Sequence, residues 1–112
     1  MSDRELLELA AKAAKLPECG WMGPAFMYVK DNTFTDWNPL DDDGDALRLA
    51  VKLGLDVCID KPPVVGEPYT QAIGFIGDGK EIEDAVELHN GDSYAATRRA
   101  IVRAAAEIGK SM

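Results

Sequence analysis

Apolar residues recur at helical spacing in three stretches of this chain and alternate at strand spacing in several others. Leu6, Leu9, Ala10 and Ala13 share one helical face and predict a first helix from about Ser2 to Leu16. Ser2 and Glu5 have the spacing of a capping box, and Pro17 supplies a stop, because the residue before proline is pushed out of the α region. A second helix follows Asp41 to Asp43, one of which caps it, and Gly54 suits the left-handed position just past its end. Its apolar residues (Ala46, Leu47, Leu49, Ala50, Val51, Leu53) cover more than one stripe and predict a well-buried helix. The third helix runs from Ser93 to Ile108, capped by Asp92 or Ser93 and ended by Gly109. Its stripe is Tyr94, Thr97, Ile101, Ala104, Ala105 and Ile108, with Arg98, Arg99 and Arg103 on the other side.

Between the helices the period changes. Glu18 to Pro24 reads as a loop punctuated by glycine and proline. Phe26 to Val29 and Thr33 to Trp37 read as two strands joined at Asp31-Asn32. Leu55, Val57 and Ile59 alternate with Asp56 and Asp60, which predicts a half-buried strand with the apolar side chains inward. Lys61 to Pro68 reads as an exposed loop, Tyr69 to Ile76 as a strand, and Gly77 to Lys80 as a hairpin connection. Residues 81–89 fit two patterns. Ile82, Val86 and Leu88 share a strand face with Glu83, Glu87 and His89 opposite, whereas Ile82, Ala85, Val86 and His89 suit a helix; the preceding glycine turn favours the strand.

The predicted order is therefore helix, strand pair, helix, strand, hairpin, helix. Tight turns imply mainly antiparallel pairing, and amphipathic helices need a sheet face for burial. These features predict one α/β (α+β) domain over residues 1–112, an α-β-α sandwich with three helices and a sheet of about four to five strands.

Composition narrows the functional classes. Apolar residues make up 46% and charged residues 29% of 112 residues, ordinary usage for one globular domain. No apolar run is long enough to span a bilayer, and the charged start of the chain passes straight into a helical pattern, so the expected location is cytoplasmic. A reducing compartment would keep Cys19 and Cys58 as free thiols. The net charge of −8 disfavours direct nucleic-acid binding and suits a basic protein partner.

Five groups of residues invite a chemical or binding reading. Asp41, Asp42, Asp43 and Asp45 around Gly44 suggest a calcium loop, but with Gly44 at the EF-hand's sixth position Pro39 and Ala50 fall at its first and last ligand positions. A helix N-terminus accounts for every one of those carboxylates, leaving Asp41, Asp43 and Asp45 as weak metal candidates. Cys58 with His89 suggests a cysteine hydrolase, against which the strand predicts an inert, buried thiol and the histidine falls at a surface junction. Arg98, Arg99 and Arg103 suit an anion, but a solvated helix face is the better account of them. Gly77-Asp78-Gly79 lacks the strand-to-helix context of a phosphate loop. Trp37 and Trp21 read as core or rim anchors, and the loop bearing Trp21 and Met22 is a candidate protein contact.

Three blocks, SDRELLELAAKAA from Ser2, WNPLDDDGDALRLAVKL from Trp37 and DSYAATRRAIVRAAA from Asp92, together resemble the phage ABA-sandwich domain proteins. The resemblance covers a little under half of the chain; its departures are the loop around Trp21 and the proline-rich segment from Lys61 to Pro68. It implies an α-β-α sandwich and a small protein of a bacteriophage or prophage with no assigned activity, located in the bacterial host cell. It transfers no catalytic residue and no cofactor. The resulting expectation is a non-enzymatic accessory protein with an unidentified host or phage protein partner and no membrane or nucleic-acid target; self-association stays open. The alternatives are a small-ligand or metal-binding module using Asp41–Asp45 or the arginine face and, more remotely, a cysteine hydrolase.

Overall fold

A computed structural model describes residues 1–62, 66–76, 79–82 and 85–112. Within them lie three helices, α1 (Asp3–Ala14), α2 (Asp43–Leu53) and α3 (Ser93–Lys110). Eight short strands accompany them: β1 (Gly20–Met22), β2 (Ala25–Lys30), β3 (Thr33–Asp36), β4 (Asp56–Asp60), β5 (Tyr69–Ile73), β6 (Phe75–Ile76), β7 (Lys80–Glu81) and β8 (Val86–Leu88). Every strand pairing among the described residues is antiparallel. The α+β class, the three helices and the antiparallel pairing match the sequence expectation.

Each helix starts on a side chain that satisfies an otherwise orphaned N–H. Ser2 accepts from Glu5 N, Asp42 from Asp45 N at 2.8 Å, and Asp92 from Ala95 N at 3.0 Å. The first helix ends before Pro17 can act: Lys15 turns left-handed at φ 54° and its N–H bonds back to Ala11 and Lys12 carbonyls. Gly54 closes α2 in the same way at φ 65°, as its position predicts.

Burial divides into two clusters on either side of α3. Leu6, Leu7, Ala10, Leu49, Ala50, Ile101 and Val102 form the larger, with Phe26 and Trp37. Ala72, Ile82, Ala85, Ala100 and Ala104 form the smaller, where α3 lies on β5 and β8. Small residues let backbones approach closely. At Gly109 an added Cβ would stand 1.9 Å from the Leu9 carbonyl oxygen, so α1 and α3 touch main chain to main chain. The two run in the same direction, Asp3 beside Arg99 and Lys12 beside Met112.

Several expectations are corrected. Part of the Glu18–Pro24 loop is strand: Trp21 pairs with Phe26, and Gly23 at φ 63° turns the chain before Pro24. The Asp31-Asn32 turn holds as predicted, both residues at positive φ between the paired Lys30 and Thr33. Pairing is distributed over two three-stranded sheets, β1-β2-β3 and β4-β5-β8, and the ribbon β6-β7, rather than one sheet. The expected long strand from Tyr69 breaks at Gly74, a position where Leu55 and Ile82 leave no room for a Cβ. The second helix packs on one side only, leaving Leu47 and Val51 exposed, and Ile59 and Tyr94 are exposed as well. Residues 79–82 and 85–89 run beside β5–β6 as extended chain, Ile82 N bonding Gly74 O and Ala72 N bonding Ala85 O. Their facing changes along the way. Ile82, Ala85 and His89 are buried while Val86 and Leu88 are exposed. Gly77 and Asp78 of the predicted hairpin, Glu83, and residues 63–65 of the proline-rich loop lie outside the described residues.

Candidate functional site

The aspartate run is engaged in holding the chain together. Asp45 accepts from the Asn38 backbone N–H at 3.0 Å and from Arg48 at 2.6 Å, and that second bond raises the pKa of the guanidinium. Asp42 caps α2, Asp41 accepts from the Asn38 amide at 3.2 Å, and Asp43 pairs with Arg98 at 2.6 Å. Every carboxylate from Asp41 to Asp45 thus faces a protein donor. Among the described residues no group of three or more His, Cys, Asp and Glu is arranged to hold a metal ion.

The arginines expected on a solvated face are likewise committed. Arg98 has only 17% of its side chain exposed; it donates to the Leu40 carbonyl at 2.8 Å as well as to Asp43. Arg99 pairs with Asp3 at 3.1 Å and Glu87 at 3.4 Å, and Arg103 bonds Glu87 and the Val86 carbonyl. Here an open cavity of about 530 Å³ is lined partly by Lys80, Glu87, Arg99 and Arg103, but Glu87 already serves both arginines. Arg98 and Arg99 thereby fasten the third family-like block to the second and the first. Local spacing could not reveal these partners, which lie 55 and 96 residues away.

The cysteine reading loses its base. Cys58 pairs across from Gln71, so it shares that residue's face of the β4-β5-β8 sheet and is exposed there, contrary to the buried thiol expected. His89, predicted at the surface, is 5% exposed, and its Nε2 shares a 2.8 Å hydrogen bond with Thr70 Oγ1. Thr70 in turn bonds Thr97 of α3 at 2.8 Å, on the opposite face from Cys58. The imidazole therefore ties sheet to helix and does not reach the thiol.

The two tryptophans gather at one place. Phe26 meets Trp21 edge-on, with ring centroids 5.1 Å apart and planes at 79°, and Trp37 with centroids at 5.8 Å. Around them opens a cleft of about 540 Å³. Its floor is Leu7 of α1 with Phe26 and Trp37, all buried, and Trp21 and Pro24 form a wall. Exposed Arg4 and Asp36 line it as well, and the Arg4 guanidinium stands 4.0 Å from the centre of the Trp21 ring. The Trp21 Nε1–H is out of water and without a hydrogen-bond partner among the described residues, which costs about 1–3 kcal/mol where such a group stays unpaired. Met22, the next residue of β1, is 52% exposed on the other face of the sheet.

Of the two residues singled out as a protein contact, Trp21 lines this cleft, whereas Met22, the next residue of β1, stands on the opposite face of the sheet. Sequence reasoning missed Arg4, Leu7 and Asp36 as companions of Trp21. Arg4 and Leu7, three apart on α1, carried the only local signal, one side chain on the packed face and one at its margin. Set against protein-family models, curated proteins and solved structures, the chain finds no match.

Proposed function

We propose that this chain is a non-enzymatic accessory protein of a phage or prophage that binds a protein partner through the cleft between α1 and the β1-β2-β3 sheet. The observation that carries the reading is the Trp21 wall. An indole with an unpartnered, desolvated N–H stands beside an exposed methionine and a cleft within the usual size range of binding pockets. Tryptophan and methionine are enriched at interface centres, where a large apolar surface and one polar handle are buried together. The resemblance of the helical blocks to phage ABA-sandwich proteins supports the biological setting, and the loop with Trp21 is among the departures from that pattern. Acidity supports the choice of partner: at −8, the surface favours a basic protein over nucleic acid.

Affinity capture from host lysate tests the reading, followed by titration of the captured protein, once purified, with each variant. Trp21→Ala/Met22→Ala should weaken binding at least tenfold, the size of a hot-spot loss of about 1.4 kcal/mol or more. Leu47→Ser, at an exposed position on α2, should leave it unchanged. Equal binding by all three proteins would remove the cleft from the account.

A further inference from the structure

The β4 edge of the β4-β5-β8 sheet is open. Ala72 N–H bonds the Ala85 carbonyl and His89 N–H bonds the Pro68 carbonyl, so Ala72 and Thr70 direct their backbone groups toward β8. Tyr69, Gln71 and Ile73 then direct theirs toward β4, where Asp60, Cys58 and Asp56 answer them. Val57 and Ile59 are left pointing their N–H and C=O groups outward, and no hydrogen bond meets these among the described residues. At the opposite edge the Val86 carbonyl is taken by Arg103 at 3.0 Å.

The side chains of β4 describe what would fit. Val57 and Ile59 lie across from Ala72 and Thr70, on the face that α3 covers. Thr70 is fully buried but Ile59 is 57% exposed, so the cover ends before the edge is reached. Asp56, Cys58 and Asp60 occupy the other face and are all exposed. Neither carboxylate makes an ion pair among the described residues; Asp60 accepts from the neutral Tyr69 hydroxyl, which leaves its charge in place. We propose that the β4 edge takes up an extended basic segment of another protein as a fourth, antiparallel strand. Cations of that segment stand opposite Asp56 and Asp60, and apolar residues opposite Val57 and Ile59.

A second copy of this chain fits the edge poorly. To use both outward residues it must set Val57 against Ile59 of the copy, and that register places Asp56 directly opposite Asp60 twice. Like charges directly opposite one another destabilise a strand pair, whereas a basic segment makes the same two positions attractive. Main-chain bonds supply the affinity of such an added strand, and the alternate side chains supply its specificity. The proposal does not rest on the Trp21 cleft, which belongs to the other sheet.

Titration of isotope-labelled protein with the acetylated and amidated peptide SKVTIKS, followed by amide NMR, tests it. The amides of Val57 and Ile59 should shift most and exchange more slowly with solvent, while the Trp21 indole signal stays still. SEVTIES turns two attractions into two repulsions and should bind at least about tenfold more weakly. SKVTIKS methylated on the valine and isoleucine nitrogens should lose binding, because those N–H groups face the β4 carbonyls. Asp56→Asn/Asp60→Asn, both at exposed positions, should no longer distinguish SKVTIKS from SEVTIES. Glu8→Gln/Asp31→Asn changes the net charge equally elsewhere and should keep the distinction.

Absence of binding at millimolar SKVTIKS would overturn the proposal. Undiminished binding of the methylated peptide would also overturn it, leaving charge attraction without an added strand, as would equal loss of the distinction in both double variants. Wild-type self-association in sedimentation that protects the Val57 and Ile59 amides would give the edge to a second copy instead. None of these outcomes bears on the Trp21 cleft, which Trp21→Ala/Met22→Ala tests separately.

Discussion

Alanine at position 109 should damage this protein more than its size suggests. An ideal Cβ there lies 1.9 Å from the Leu9 carbonyl oxygen and 2.8 Å from its carbonyl carbon, both main-chain atoms. Ordinary contact begins near 3.4 Å, so α1 must retreat by about 1.5 Å along a seam that buries Leu6, Ala10 and Ala13. Overpacking of a tight core costs about 1–3 kcal/mol, and the upper end applies where no side-chain rotation relieves the clash. Better helix propensity returns at most about 1 kcal/mol. The expected net loss is about 2 kcal/mol, or roughly 8 °C in Tm for a domain of this length. Gly44→Ala is the softer comparison, because its Cβ would meet side-chain atoms alone, the Arg48 guanidinium and the capping Oδ2 of Asp42 at 3.1–3.2 Å, and no main chain. Helix propensity gained there, up to about 1 kcal/mol, offsets any shift of the Asp42 cap, so the net change should stay well below that at Gly109. Urea unfolding followed by far-ultraviolet circular dichroism reads both: a clearly lower midpoint with unchanged slope for Gly109→Ala, and a midpoint close to wild type for Gly44→Ala. A Gly109→Ala protein as stable as wild type, or a Gly44→Ala protein destabilised as much as Gly109→Ala, would refute the close-approach argument.

Other substitutions probe the remaining contacts. Asp42→Ala removes the α2 cap and should cost about 1 kcal/mol in the same unfolding assay. Thr70→Val keeps the shape of the side chain but strips His89 and Thr97 of their shared hydroxyl, and should cost about 1–3 kcal/mol. Hydrogen bonding to Asp60, reinforced by that carboxylate's charge, raises the Tyr69 hydroxyl above its ordinary 10.0. The folded-state pKa then exceeds the unfolded one, so the contribution is fully present below about pH 10 and fades as pH rises through the raised value. The phenolate absorbance of Tyr69, identified by its loss in Tyr69→Phe, should shift down in Asp60→Asn; an unchanged titration would contradict the contact.

Much of this scaffold is written locally. Ser2, Asp42 and Asp92 cap the three helices, and Asp31-Asn32 forms its turn with both residues left-handed, because each feature depends on neighbours a few residues apart. What escaped was set by packing at long range. Leu47 and Val51 have the look of buried residues, but α2 has neighbours on one side only, so they face solvent. Val86 and Leu88 share one strand face and His89 takes the other, as the period predicts, but it is the His89 face that α3 covers. The three-residue strand β1 is too short for a period and is flanked by glycines. The cleft was half legible. Trp21 stood out by residue type, whereas Arg4 joins it only through the approach of α1 to the first sheet.

The Trp21 indole N–H resonance, followed as the captured protein partner is titrated in, tests the binding surface most directly. This N–H is now without a partner, so a hydrogen bond or a displaced Arg4 will move it strongly. The account predicts that the Trp21 signal and the amides of Met22 and Asp36 shift together, while Cys58, Val86 and Leu88 on the exposed face of β4-β5-β8 stay still. Shifts confined to that sheet face, with Trp21 unmoved, would contradict it.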